Sequence, residues 1–261
     1  MNLAPVACAG APLARRNPVA KLGAALLFSL PLIATLDPLT PALALVIELA
    51  VLPLFGVRYR VLARRAWPLA LGAAGILVTM TLFAADREGT VLFWNVTTGV
   101  AAAALGLVLR VFAVALPGII VFATTDPTDL ADALVQNVRA PARFAIGALA
   151  AFRLVPLLTA EWQTLTLARR ARGIDAGHNP WARLRLFAST AFALLVGALR
   201  RGGRLATAMD ARGFDSGAVR TYARRQHFGP ADAALVAAAA LASAAILAVA
   251  VVTGFFHPVL G

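Results

Sequence analysis

Apolar runs approaching the length of a bilayer crossing recur along the chain at 22–36, 39–55, 67–85, about 97–123 and 231–256. The first two are short against a hydrocarbon layer of about 30 Å, so they predict helices that rely on tilt, flanking residues or local thinning. Asp37-Pro38 supplies the turn between them. Between the fourth and fifth runs the pattern changes, and charged residues interrupt the apolar ones throughout 126–230. Asp126, Pro127 and Asp129 read as the N-cap, first helical position and first-turn acid of a helix that stops before Pro141. The segment 142–173 then sets Phe152, Val155, Leu158, Trp162 and Leu165 at helical spacing among Arg153, Glu161, Arg169 and Arg170, with a kink expected at Pro156. A further segment, about 181–212, has an apolar middle between Arg183 and Arg185 on one side and Arg200, Arg201 and Arg204 on the other. That middle, about fourteen residues, is too short to cross comfortably and predicts an amphipathic or partly embedded helix. Gly202-Gly203 predicts a kink or a close helix crossing there. The fold class is therefore all-α: a polytopic membrane protein with about five transmembrane helices and three more helices on the cytoplasmic side. Its regions are 1–125 with four spans, 126–230, and 231–261 with the last span.

Composition agrees with this pattern. Of 261 residues, 61% are hydrophobic, and the mean hydropathy of +0.81 lies far above that of a soluble domain. The net charge of +12 comes almost wholly from arginine, since Lys21 is the only lysine. Of the 24 basic residues, 22 lie before the first run, in 57–66 or in 126–230, which places the N-terminus and 126–230 on the cytoplasmic side and the C-terminus outside. The surplus is thus a topology signal rather than a nucleic-acid footprint. Arg110, inside the fourth run, has to face protein or water, and Glu48 in the second run is its expected partner. Cys8 is the sole cysteine, which excludes an internal disulfide and a thiolate zinc site.

Candidate chemistry is sparse. No G-x-x-x-x-G-K-[ST] occurs, so the chain does not hydrolyse ATP by a phosphate-cradling loop. Asp126, Asp129 and Asp132 share one helix side and offer the strongest enzyme-like reading, a Mg²⁺-dependent membrane transferase acting on a diphosphate. A second acidic cluster is missing, and capping already accounts for two of the three. His178, His227 and His257 are too scattered to form a metal site.

The chain reads ARRARGID near 168 and AMDARGFD near 208, each after a helical segment. Gly173 and Gly213 suit the position just past a helix end, and Arg172 and Arg212 sit where the helix dipole favours a cation. Capping alone leaves unexplained why Ala171 and Ala211 precede and why an apolar residue and Asp follow in both. A second reading uses the same geometry. An arginine on a slim exposed tip enters a groove on another protein and pairs with a carboxylate through two hydrogen bonds. Two tips suit a partner with two equivalent grooves, and a dimer of ATPase subunits has them.

These motifs, with RRNPVAKL near the start, TTDPTDLADAL followed by AP, and FRLVPLLTAEWQTLTLARRARG, resemble the transmembrane coupling subunit, or T component, of energy-coupling-factor (ECF) transporters and the related cobalt-transport permeases. The resemblance covers most of the chain. It implies a non-catalytic subunit of a bacterial plasma-membrane transporter, with no cofactor of its own and with ATP and Mg²⁺ held by two partner ABC ATPase subunits or domains. It implies Arg172 and Arg212 as anchors, with Ala171, Gly173, Ala211 and Gly213 keeping the tips slim. It further implies a small substrate-binding membrane subunit for a vitamin or metal ion, moved by the apolar faces of 142–165 and 186–199. Phe152, Val155, Leu158, Trp162, Leu165, Phe187 and Phe192 are the expected contacts, although Trp162 also reads as packing. The rival transporter reading is a pore-forming permease of a conventional ABC importer, which usually docks through one coupling helix.

Overall fold

A computed structural model describes residues 11–35, 37–83, 91–93, 96–214, 216 and 221–254. Cys8, Arg87, Asp215 and His257 lie outside the described residues. The helices are α1 (Pro18–Ala34), α2 (Leu39–Val51, continued by a 3-10 turn Leu52–Phe55), α3 (Tyr59–Phe83), α4 (Thr98–Thr124), α5 (Pro127–Asn137), α6 (Ala142–Ala171), α7 (Pro180–Ala211) and α8 (Pro230–Val252). Strands β1 (Val91–Phe93) and β2 (Val96–Thr97) pair antiparallel just before α4. The chain is an all-α polytopic fold in two compact units, residues 140–225 forming one and the remaining described residues the other.

The larger unit is an alternating bundle whose helix starts are written locally. Asn17 caps α1 by accepting from Val19 N at 2.9 Å, with Pro18 following. Asp126 caps α5 by accepting from Thr128 N at 2.7 Å, with Pro127 first in the helix and Asp129 in its first turn, as the sequence predicts. At one end of the bundle, Leu13 N donates to Leu54 O at 3.2 Å. There too Asn17 N donates to the Asp232 carboxylate at 3.0 Å, and Lys21 Nζ donates to Thr124 O at 3.0 Å. The start of α1 therefore meets the start of α8 and the ends of α2 and α4, so α1 and α8 run one way and α2 and α4 the other. Leu52, Leu62, Leu116, Ile120 and Ala123 pack together near this end. Phe28, Leu32, Ala44, Ala113 and Ile246 form a second cluster. At the turn between α1 and α2, a Cβ on Gly106 would stand 3.3 Å from the Pro38 backbone, so glycine lets that turn close on α4.

Five helices are long and apolar enough to cross a membrane, which matches the expected number, but the membership differs. The runs 22–36 and 39–55 appear as shorter helices, the first of 17 residues, about 25 Å at 1.5 Å per residue. In their place α6 and α7, with 30 and 32 residues, meet the length and hydropathy of a span. Arg183, Arg185, Arg200, Arg201 and Arg204 all lie within α7, so the segment expected at 181–212 is one helix that extends well beyond its apolar middle.

The smaller unit is the hairpin of α6 and α7. Arg169, near the end of α6, bonds to Leu186 and Thr190 near the start of α7, while residues from the start of α6 and the end of α7 line a common pocket. The two helices are therefore antiparallel. The hairpin buries little: α6 has no buried residue, and α7 has Thr190. Helix α6 runs without a break through Pro156. Gly202 and Gly203 lie inside α7, and a Cβ on either would meet no atom within 4 Å, so the close crossing expected there is absent.

Candidate functional site: two matched helix tips

Both ARG triplets close a helix in the same register. Arg172 is the C-cap of α6 (φ −88°, ψ 8°) and Arg212 that of α7 (φ −92°, ψ 10°). Gly173 and Gly213 follow at φ +74° and +72°, in the left-handed region that L side chains rarely adopt. Gly173 N donates to Arg170 O at 2.9 Å and Ile174 N to Arg169 O at 3.0 Å. At the second tip Gly213 N donates to Asp210 O at 2.9 Å and Phe214 N to Met209 O at 3.1 Å. This pair of bonds is the Schellman motif, which commonly takes an apolar residue just after the glycine to pack on the last turn. It supplies the reason for Ile174 and Phe214 that capping by glycine alone left open. Phe214 shares a pocket with Met209, as the motif requires.

Ala171, Arg172, Gly173, Ala211, Arg212 and Gly213 are all exposed. Among the described residues neither guanidinium takes part in a hydrogen bond or an ion pair. Because the helices are antiparallel, the tips stand at opposite ends of the hairpin, separated by a helix length on the order of 40 Å. The connection 172–179 is ordered by its own bonds. Asp175 accepts from Ala176 N at 2.8 Å, Arg183 Nε donates to Gly177 O at 2.9 Å, and Asn179 caps α7 by accepting from Trp181 N at 3.0 Å.

The expected contact residues divide into two sets. Phe152, Val155, Phe187 and Phe192 are exposed, whereas Leu158, Trp162 and Leu165 are half-buried. Trp162 lies against Phe187 with ring centroids 5.2 Å apart, so the tryptophan packs inside the hairpin. Two pins escaped the sequence reading. Arg201 pairs with Glu161 at 2.6 Å, and Arg169 Nη1 donates to Leu186 O at 3.3 Å, to Thr190 Oγ1 at 2.9 Å and to Ser189 Oγ. Glu161 and Arg169 were legible only as charges beside an apolar stripe.

Other expectations fall differently. Glu48 does not pair with Arg110: both its carboxylate oxygens are buried without a hydrogen bond, and Asp37 lies in electrostatic reach of Arg110 without an ion pair between them among the described residues. Gly106 explains the choice, because it sits one turn before Arg110 and lets the loop bearing Asp37 approach. The carboxylates 126, 129 and 132 do not form a metal centre. Asp126 is the α5 cap, Asp129 lies in electrostatic reach of Lys21, and among the described residues no three His, Cys, Asp or Glu gather. His178 is exposed in the hairpin connection, and His227 contributes its backbone carbonyl to Asn17 Nδ2 at 3.2 Å. Lys21, counted in the sequence among the basic residues that precede the first run, is 2% exposed.

Apolar helices able to cross a bilayer, joined to a hairpin with two matched cationic tips, define a multi-pass membrane component of a larger assembly. The profile of the family described as cobalt transport protein (CbiQ) matches residues 10–223. The chain is similar to the energy-coupling factor transporter transmembrane protein EcfT 1 of Listeria monocytogenes, 30% identical over 214 residues that cover 76% of this chain and 79% of that one. It is also similar to EcfT of Limosilactobacillus fermentum, 29% identical over 57% of this chain and 60% of that protein. With EcfT of Exiguobacterium sibiricum the identity is 32% over 58% and 62% respectively. The chain belongs to the cobalt transport protein family and is a transmembrane T component of the energy-coupling-factor type.

Proposed function

We propose that this chain transmits the ATP-driven movement of two ABC ATPase subunits or domains to a separate, small substrate-binding membrane subunit that takes up a vitamin or a metal ion. The observation that carries the reading is one cap built twice, each with an exposed arginine unpaired among the described residues, at opposite ends of one hairpin. An arginine fork fits a carboxylate with two parallel hydrogen bonds, and a separation on the order of 40 Å suits grooves on two proteins better than two on one. ATP and Mg²⁺ belong to the partners in this reading, since the chain has no phosphate-cradling motif. Residues 1–125 and 231–261 serve as the membrane region and 126–230 as the coupling region.

Charge supports the sidedness. Arg15, Arg16, Arg58, Arg60, Arg64 and Arg65 belong to the bundle end where α4 finishes and α8 begins, so that end faces the cytoplasm and the end of α8 the outside. Whether α6 and α7 cross or stay on one side leaves the parity of the chain unchanged. Crossing would carry Arg169, Arg170, Arg172, Arg183 and Arg185 outward with the connection, against the same rule, so the hairpin belongs to the cytoplasmic side. Phe152, Val155, Phe187 and Phe192 then meet the substrate-binding subunit, with Trp162 behind Phe187.

The test is co-purification. Arg172→Glu with Arg212→Glu abolishes recovery of the ATPases while the spans still insert. Either substitution alone weakens recovery in part, because one seated tip keeps the other at high local concentration. Undiminished recovery with the double variant refutes docking through the tips. Recovery of two copies of this chain per ATPase pair, rather than one, favours the conventional permease.

A further inference from the structure

We infer that the pocket beneath the first tip binds a phosphate group. It encloses about 410 Å³ within the hairpin, and Arg169, Arg170 and Arg183 line it with a single acid, Asp175. The cations are unmatched: none of Arg169, Arg170 and Arg183 takes part in an ion pair with the described residues. Donors are left over as well. The Arg169 side chain engages its neighbours through Nη1 alone and that of Arg183 through Nε alone, while the Arg170 side chain makes no hydrogen bond with the described residues. Asp175 accepts from Ala176 N, and its single charge is outnumbered by the three arginines.

The donors come from α6 and α7, and the connection between these helices is fixed by its own hydrogen bonds, so they stand around the pocket before any ligand arrives. A planar carboxylate is satisfied by one arginine fork, whereas a tetrahedral phosphate accepts from several guanidiniums at once. The rest of the lining is apolar and aromatic, with Trp162, Phe187, Leu186 and Ile174, and it suits a phosphate that carries an apolar body. Just outside, Trp181 and Leu184 are 77% and 57% exposed and alternate with Arg183 and Arg185, the pattern of a segment at a headgroup layer. The phosphate is accordingly either the diester of an anionic phospholipid or a soluble phosphate. Neither source depends on the ATPase-docking reading, and the test uses the chain alone.

The full chain is placed in nanodiscs of phosphatidylcholine with or without phosphatidylglycerol, and retained lipid is counted by native mass spectrometry. In parallel, inorganic phosphate is titrated onto the chain in detergent. Retention of phosphatidylglycerol identifies the lipid source, and saturable binding of inorganic phosphate the soluble one. Arg170→Gln, which removes no internal bond among the described residues, weakens whichever binding is seen by about fivefold to tenfold. Arg204→Gln changes the net charge equally on an exposed part of α7 away from the pocket and leaves binding unchanged. A thermal melt confirms that both variants are folded. No binding in either arm, or equal weakening by Arg170→Gln and Arg204→Gln, overturns the inference.

Discussion

Replacing Gly173 with alanine isolates the part of a tip that belongs to the backbone. At φ +74° an L side chain costs about 1–2 kcal/mol, because its Cβ crowds the following carbonyl. Nothing else contributes at this site, since a Cβ there meets no atom within 4 Å. At Gly213 the added carbon meets Ser216 at 3.6 Å and 3.7 Å, ordinary contact distances, so the same cost is expected at the second tip. Asparagine, which tolerates the left-handed region, costs less than alanine, and valine costs more. The last turn of a helix can open without the molecule unfolding, so a melting temperature is a blunt readout and amide hydrogen exchange a sharp one. The amides to follow are those of residues 173 and 174, held by Arg170 O and Arg169 O. A cost of 1–2 kcal/mol raises their opening about fivefold to thirtyfold. Gly147→Ala is the opposite control. It lies within α6, a Cβ there meets nothing within 4 Å, and alanine is favoured over glycine in a helix by about 1 kcal/mol, so that variant slows exchange along α6. Unchanged exchange at residues 173 and 174 in Gly173→Ala, or no ranking of Asn before Ala before Val, refutes the cap as the reason for glycine.

The Glu161–Arg201 pair is half-exposed, so Glu161→Gln or Arg201→Gln alone lowers hairpin stability by no more than about 1 kcal/mol. Exchanging the two charges restores most of it, and a double-mutant cycle on hairpin exchange rates that finds no coupling contradicts the pin. Lys21→Met removes the donor to Ala14 O at 2.6 Å and Thr124 O at 3.0 Å in a buried place, leaving both carbonyls unpaired. The expected loss is about 2–4 kcal/mol, read as a drop in thermal stability, and a methionine variant as stable as the parent shows that the lysine does not join α1 to α4.

What could be read from the sequence was mostly local. Asp126-Pro127 announces α5, Pro141 ends the stretch before α6, and Arg-Gly ends α6 and α7, because each is a backbone requirement met within a few residues. Asn17-Pro18 announces the start of α1 in the same local way. Partners chosen across the fold were not readable. Arg110 has two acids within plausible reach, and the approach of the loop before α2, permitted by Gly106, brings Asp37 rather than Glu48 into its electrostatic reach. Lys21 looked like one more flanking cation, because nothing local shows that helix ends from four parts of the chain converge around it. The extent of α7 was legible, 181–212 against the observed Pro180–Ala211, whereas its capacity to span was not, since the apolar middle is much shorter than the helix.

The hairpin's thin interior bears on how it can work. With Thr190 its buried residue, and with Phe144, Leu184, Phe192 and Leu199 more than half exposed, α6 and α7 are held by directional contacts rather than by a core. Those contacts are the Arg169 fan, the Glu161–Arg201 pair and the Trp162–Phe187 rings, and all of them lie between the two tips. An α-helix resists compression along its axis because every turn is hydrogen-bonded to the next. A displacement applied at Arg172 or Arg212 in the proposed role is therefore carried inward along a stiff rod and crosses to the other helix only at these pins. The apolar residues left outside are the same ones that a membrane subunit would have to grip. In the proposed role, scarcity of internal packing and an apolar grip for a partner thus follow from one arrangement, in which the side chains that would have made a core face outward instead.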